Sequence, residues 1–217
     1  MTFTVVDYIL KRLAEQPMAA PAGATPAVPG PAAGPLTYKQ VFERVAVARL
    51  VIPDTFLGIY SAANAPVKER NAFLCSGVSA SIGHSVAAAV GASFGSARRP
   101  LVICGDGGFH MTAQALSTMV QYGSKPVVVI LANGIYGCEQ FLVDESYFQN
   151  PAKQPRPYTV LNQWDFEKFA GALGVRFART VNTAAAFDAA LAATKGFDGP
   201  AVIVAQIDPH GLPTELP

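Results

Sequence analysis

The sequence predicts an α/β fold, a doubly wound and mostly parallel sheet with helices on both faces. Two observations carry this expectation. The runs "LVIC" (101–104), "PVVVILA" (126–132) and "AVIVAQ" (201–206) are apolar without alternation, as strands covered on both faces must be. Between them lie stretches of helical length, and strands that alternate with helices imply parallel crossovers. Composition adds a third point. Charged residues make up 14% against a typical quarter, and hydrophobic residues reach 51%. A chain of 217 residues with so little charge is expected to bury more than its own core, hence to present a large subunit interface in a homo-oligomer.

Taken in order, residues 5–14 read as an amphipathic helix, with Val5, Ile9, Leu10 and Leu13 at helical spacing. Lys11 and Arg12 follow its apolar residues, the wrong order for a signal peptide, so a cytoplasmic protein is expected. Residues 17–35 are nearly all Pro, Ala and Gly and predict an extended tether. The chain thus divides into an N-terminal helix (1–16), a linker (17–35) and one domain (36–217). At its start, "TYKQ" forms a Thr-x-x-Gln capping box for a helix over 38–48.

Further strands are expected near 55–60, 71–75, 101–104, 126–131, 175–178 and 201–206. Helices are expected near 78–95, 111–122, 165–173 and 184–194. The uncharged stretch 78–97 is built of Ala, Ser and Gly with His84 inside, which suits a helix pressed against protein, not lipid. Residues 147–165 read as a long loop, a lid or an interface anchored by Trp164. Cys75, Cys104 and Cys138 have no metal spacing and read as buried thiols, and His84 and His110 as packed side chains. A net charge of +1 with no basic run argues against nucleic acid.

The chemistry concentrates in "LVICGDGGFH" (101–110). In an open α/β sheet ligands sit beyond the carboxyl ends of the strands. Gly105 and Gly107 let backbone approach a ligand, and the following helix offers its first amides to an anion. Asp106 would repel a bare phosphate, so a cation between them is implied, and hard oxygens suit Mg²⁺ or Ca²⁺. Asn133, at the end of the next strand, emerges at the same sheet edge and adds an amide oxygen, with a backbone carbonyl near Ile135 as a further donor. The predicted ligand is a magnesium diphosphate. No Walker loop is present, His110 stands where a dinucleotide fingerprint needs its third glycine, and "GVSAS" (77–81) lacks the last glycine of a nucleophile elbow.

Gly-Asp-Gly followed by "FHMTAQALSTMVQYG" and Asn133 resembles the diphosphate-binding domain of thiamine-diphosphate enzymes, and pyruvate and indolepyruvate decarboxylases in particular. "ASIGHSVAAAVG" shares the likeness, which covers roughly 37–207. The resemblance implies that Asp106, Asn133 and the Ile135 carbonyl hold Mg²⁺. It implies that Ile82 bends the cofactor and that the Ala80 carbonyl accepts from its amino group. Gly105, Gly107, Gly108, Phe109 and Tyr136 would complete the cofactor contacts, and Glu139 in "YGCE" would face a 2-oxo acid substrate as the catalytic acid–base group. The chemistry implied is decarboxylation, with the cofactor's thiazolium as electron sink. Three positions depart from the pattern: Ala132 for a first asparagine, Gly108 where a hydroxyl or methyl is frequent, and Ile135 for a glycine.

In that family the activating glutamate belongs to a separate pyrimidine-binding domain. "MTFTVVDYILKRLAEQ" resembles the start of that domain, and neither Glu15 nor Glu43 sits in a context to replace the glutamate. Three readings follow: half of a split carboxy-lyase whose partner carries the pyrimidine-binding domain, a non-catalytic cofactor binder, or a structural module with a vestigial site.

Overall fold

The computed structural model describes residues 36–37, 40–41, 50–55, 59, 62 and 70–212. The expected N-terminal helix and the tether lie outside the described residues. The expected helix over 38–48 is described at Gln40 and Val41, which are helical. Its capping box forms reciprocally: the Gln40 amide donates to Thr37 Oγ1 at 3.2 Å and the Thr37 amide to Gln40 Oε1 at 3.0 Å.

Five parallel strands make one sheet in the order β1-β2-β3-β5-β4. They are β1 (Leu50–Pro53), β2 (Pro100–Gly105), β3 (Val127–Ala132), β4 (Phe177–Val181) and β5 (Ala201–Gln206). Seven α-helices are described: α1 (His84–Gly95), α2 (Asp106–Thr112), α3 (Ala115–Gln121), α4 (Gly137–Val143), α5 (Ser146–Gln149), α6 (Phe166–Ala172) and α7 (Ala184–Ala193). From β1 to β3 the chain advances one strand at a time, and the next step skips a position to β4. Right-handed crossovers in one direction must put their helices on one face. Accordingly Val86 and Ala89 of α1, Leu116 and Met119 of α3 and Ala170 of α6 pack together on Val102, Cys104, Val128, Ile130 and Val202. The return from β4 to β5 reverses direction, so α7 covers the opposite face. There Phe187 and Ala190 meet Leu101, Ile103, Val127, Val129 and Ile203. Alternate residues of each apolar run serve the two faces, and each buried Val, Leu or Ile is worth about 1.5–3 kcal/mol.

Side chains set several boundaries. Asp165 accepts from the Lys168 amide to start α6, and Thr183 from the Ala186 amide to start α7. Gly174, at φ 88, ends α6 while the Val175 amide returns to the Ala170 carbonyl. Leu36 forms a parallel bridge with Ile207, directly after β5.

Several expectations are corrected. The first strand of the sheet is 50–53, not 55–60, and the described residues Ile59 and Ala62 are helical. A run of four apolar residues closed by Pro53 was masked by the helical pattern before it. The segment 71–75 makes a single bridge, Phe73 to Val51, not a strand. The fourth strand is 177–181 where 175–178 was expected. Helix 78–95 begins only at His84, because Ala80 (φ 45) and Gly83 (φ 83) adopt left-handed backbone that no helix can contain. Helix 111–122 is instead two helices, the first starting at Asp106 itself, with a turn at 113–114 between them. The loop 147–165 contains most of α5 and a 3₁₀ turn at Pro157–Thr159.

The sheet's amino-terminal side is tied by Arg99, whose guanidinium donates to the carbonyls of Lys125, Thr194 and Gly199. These precede β3 and β5, so one side chain gathers three segments. Arg99→Ala is expected to lower stability by about 2 kcal/mol, read from the urea midpoint. Lysine should recover only part of this, since a point charge cannot reach three carbonyls at once.

Candidate functional site

The carboxyl ends of β1, β2 and β3 open into a cleft lined by Asp54, Asp106, Asn133, Ile82 and Glu139 among others. Gly105, the last residue of β2, is extended, and α2 starts at the next residue, so the chain turns sharply with Asp106 at its corner. The Asp106 carboxylate is buried and reaches across to the loop after β3. Its Oδ2 accepts from the Gly134 amide at 2.8 Å and its Oδ1 from its neighbour Gly107 at 3.0 Å. Parallel pairing in register, Gly105 beside Leu131, brings the two strand ends together. Burial pushes the Asp106 carboxyl up to about 6, against the opposing pull of these amides. An acid in that condition has much to gain from a nearby cation.

Asn133 lies on the same rim, and its Oδ1 accepts from the Ile135 amide at 3.2 Å. That closes an Asx turn. Gly134 carries the left-handed step at φ 78, so Ile135 keeps ordinary backbone and is buried. This answers the departure from glycine at 135. Among the described residues no cluster of three His, Cys, Asp or Glu could hold a metal. The donors gathered here are one carboxylate, one amide oxygen and backbone carbonyls, a hard set that suits Mg²⁺ and leaves positions for phosphate and water.

The glycines divide by cause. A Cβ on Gly105 would meet nothing within 4 Å, so its missing side chain leaves open cleft. At Gly107 a Cβ would lie 2.5 Å from the Tyr136 ring, and at Gly108 it would meet the Asp54 carboxylate. Gly107 is therefore demanded by Tyr136, and Gly108 by an acid that sequence reasoning missed. Asp54 directly follows β1, is 4% exposed and accepts both the Thr55 and Gly83 amides. Burial holds its carboxyl above the usual carboxylate range. Its signal was present in "LVIPDT", but a strand placed at 55–60 put Asp54 before a strand instead of at its carboxyl end.

Ala80 and Ile82 line the cleft from the turn before α1. Ile82 is 43% exposed, and Ala80 at φ 45 stores backbone strain of about 1 kcal/mol or more. Glu139 lies in the first turn of α4 and lines the cleft beside Cys138. Burial, reinforced by Glu139, pushes the Cys138 thiol up, so it is no thiolate nucleophile. Cys104 is buried, whereas Cys75 and Cys138 are only half-buried.

Phe109 is the expected contact that the structure places elsewhere. Its ring is fully buried, edge-on to Phe166 at 5.6 Å and to Phe169 at 6.2 Å, and does not line the cleft. His110 stacks on Trp164 at 4.0 Å, and Trp164 packs on Phe169 at 4.9 Å, so both act as packed anchors.

The 147–165 segment is strapped to the site. The Tyr136 amide donates to the Thr159 carbonyl at 2.7 Å and the Leu161 amide to the Gly134 carbonyl at 2.9 Å. Buried Gln140 holds the strap from below, accepting from the Arg156 amide at 2.8 Å and the Thr159 hydroxyl at 3.0 Å. Nothing in the spacing of Gln140 announces this role.

A family model described as "Thiamine pyrophosphate enzyme, C-terminal TPP binding domain" matches residues 57–205. The alpha-keto-acid decarboxylase of Mycolicibacterium paratuberculosis is 29% identical over 201 residues, covering 88% of this chain and 34% of that protein. Pyruvate decarboxylase 1 of Pisum sativum is 33% identical over 94 residues, covering 43% of this chain and 14% of that one. Among solved structures, the thiamine diphosphate-dependent 4-hydroxybenzoylformate decarboxylase of Rhodococcus jostii RHA1 superposes with a TM-score of 0.68 at 25% identity, covering 89% of this chain and 36% of that one. Benzoylformate decarboxylase from Polynucleobacter necessarius shares the fold, with a TM-score of 0.67 at 23% identity over 81% of this chain and 33% of that one. The chain thus spans about a third of the mycobacterial enzyme's length. The chain belongs to the thiamine pyrophosphate enzymes, and what it carries of them is their C-terminal cofactor-binding domain.

Proposed function

We propose that the chain holds Mg²⁺ and thiamine diphosphate as the diphosphate-binding half of a 2-oxo acid decarboxylase, and that turnover needs a second domain. The observation that carries this is the Asp106–Gly134 contact at 2.8 Å, which brings the buried carboxylate at the start of α2 against the loop that holds Asn133 and Ile135. Asp106, Asn133 and the Ile135 carbonyl would hold the metal, and the open position at Gly105 would admit the diphosphate. When bound, the cofactor supplies an electron sink for the carboxylate-bearing carbon. Ile82 and Leu131 give the cleft apolar walls that exclude water, Ala80 offers its carbonyl, and Glu139 is positioned to give or take a proton at the substrate.

The cleft has room for about 150 Å³, below the roughly 300–1,000 Å³ of complete small-molecule sites. One wall is here, and the other belongs to a partner that carries a pyrimidine-binding domain with the activating glutamate. Residues 1–16 resemble the start of such a domain. The half-open cleft also favours a second reading, a binder that holds cofactor without turning over.

Calorimetric titration with thiamine diphosphate and Mg²⁺, followed by carbon dioxide release from pyruvate and bulkier 2-oxo acids, tests both. Metal-dependent binding is expected. Absence of binding at millimolar Mg²⁺ would leave a structural module. Binding without release under any pairing selects the second reading. In an active pairing, Glu139→Gln should leave cofactor affinity intact and slow carbon dioxide release by about 10²–10⁴-fold. Equal turnover would make Glu139 a rim residue.

A further inference from the structure

We propose that Asp54 and Thr112 are positioning residues that clamp the Gly83 peptide and thereby set Ile82 and Ala80 against the organic part of the cofactor, an assignment that rests on the cofactor reading above. Gly83 is gripped on both sides, through the peptide before it and the peptide after it. Its amide donates to the two Asp54 oxygens at 3.1 and 3.0 Å, and its carbonyl accepts from the Thr112 hydroxyl at 2.7 Å. Asp54 directly follows β1 and Thr112 ends α2, so a turn between them is fixed to the strand end on one side and to the Asp106 helix on the other. Gly83 itself cannot be replaced, since at φ 83 a Cβ would lie 2.7 Å from Met111 Cβ and 3.0 Å from the Gly108 carbonyl oxygen.

Burial does not place Ile82. At 43% exposure its side chain is held up to the cleft, and an aliphatic group gains little from that position. Elsewhere the turn is closed on itself, by the Ala80 amide on the Ser76 carbonyl at 2.9 Å, the His84 amide on the Ser81 carbonyl at 3.2 Å, and exposed hydroxyl contacts of Ser76, Ser79 and Ser81 that compete with water. The buried Asp54 bond, one residue away from Ile82, instead ties the turn to the end of the sheet. A buried acid that turns both its oxygens to the Gly83 amide, with one of them shared by Thr55, makes sense where the position of Gly83 matters.

The test uses the full chain and two probes, Mg²⁺ with thiamine diphosphate and Mg²⁺ with inorganic diphosphate. Both share the metal and phosphate contacts, and only the first has an organic part for Ile82 and Ala80 to meet. Thr112→Val is expected to weaken thiamine diphosphate about tenfold, the effect of one lost buried hydrogen bond, with inorganic diphosphate unchanged. Thr112→Ser should restore it. Asp54→Asn, which sets an amide N–H against the Gly83 amide, should act in the same direction. Equal loss of both probes in Thr112→Val and Asp54→Asn would show that the clamp only holds the fold and would overturn the proposal, as would no change in either. A wild-type chain that binds neither probe would instead overturn the cofactor reading and this assignment with it.

Discussion

Replacing Asp106 with alanine is expected to remove Mg²⁺-dependent binding of thiamine diphosphate, a loss of more than about 100-fold by titration calorimetry. Among the described residues Asp106 is the carboxylate that accepts from the loop after β3, through the Gly134 amide on Oδ2, and one amide oxygen with carbonyls cannot offset the charge of a divalent ion. Unchanged affinity would remove the metal role. The wild-type chain should also show a pH signature. Burial raises the metal-free carboxyl from 3.8 to about 6, so below pH 6 a proton competes with the metal and apparent affinity falls about tenfold per pH unit.

Stability of the metal-free chain follows the same group with the opposite sense. The folded value lies above the unfolded one, so the contribution is fully present below pH 3.8. It is lost as pH rises towards about 6, about 3 kcal/mol in all. Saturating Mg²⁺ and cofactor should therefore raise the melting temperature more at pH 7.5 than at pH 5. An equal rise at both would show that Asp106 is not the group being neutralised.

Phe109→Ala is expected to cost about 3–5 kcal/mol of folding stability, measured by urea unfolding. The ring is fully buried beneath the site, edge-on to Phe166 and Phe169, so its loss opens a cavity between α2 and α6. Because it does not line the cleft, cofactor affinity should persist wherever the variant remains folded. Loss of affinity at unchanged stability would return Phe109 to the site. The two substitutions, three positions apart, thus separate chemistry from support: Asp106 is expected to fail in binding and Phe109 in folding.

Those neighbours also show what was legible in the sequence. Strands β2, β3 and β5 were visible because burial on both faces leaves an unbroken apolar run, here short and rich in β-branched Val and Ile. Asp106 and Asn133 were legible because each interrupts such a run at its carboxyl end. β1 was not, since four apolar residues continue a helical pattern and only pairing with β2 makes them a strand. That misplacement hid Asp54. The Gly83 clamp was equally hidden, because its bonds join residues 29 apart in both directions. The burial of the Phe109 ring was hidden too, because proximity to Asp106 in sequence says nothing about which side of a helix a ring occupies. Gln140 is read only through the strap it holds, 16 and 19 residues later.

The bridge between Leu36 and Ile207 has a consequence for how such a unit travels. Polypeptide enters and departs at one spot, so the intervening stretch forms a closed cassette whose doorway is a single backbone contact. A cassette of that kind can be excised from one gene and spliced into another without stretching its host, since the flanking segments already meet. Shuffling of this coenzyme-holding piece between longer and shorter proteins therefore demands no redesign of its interior.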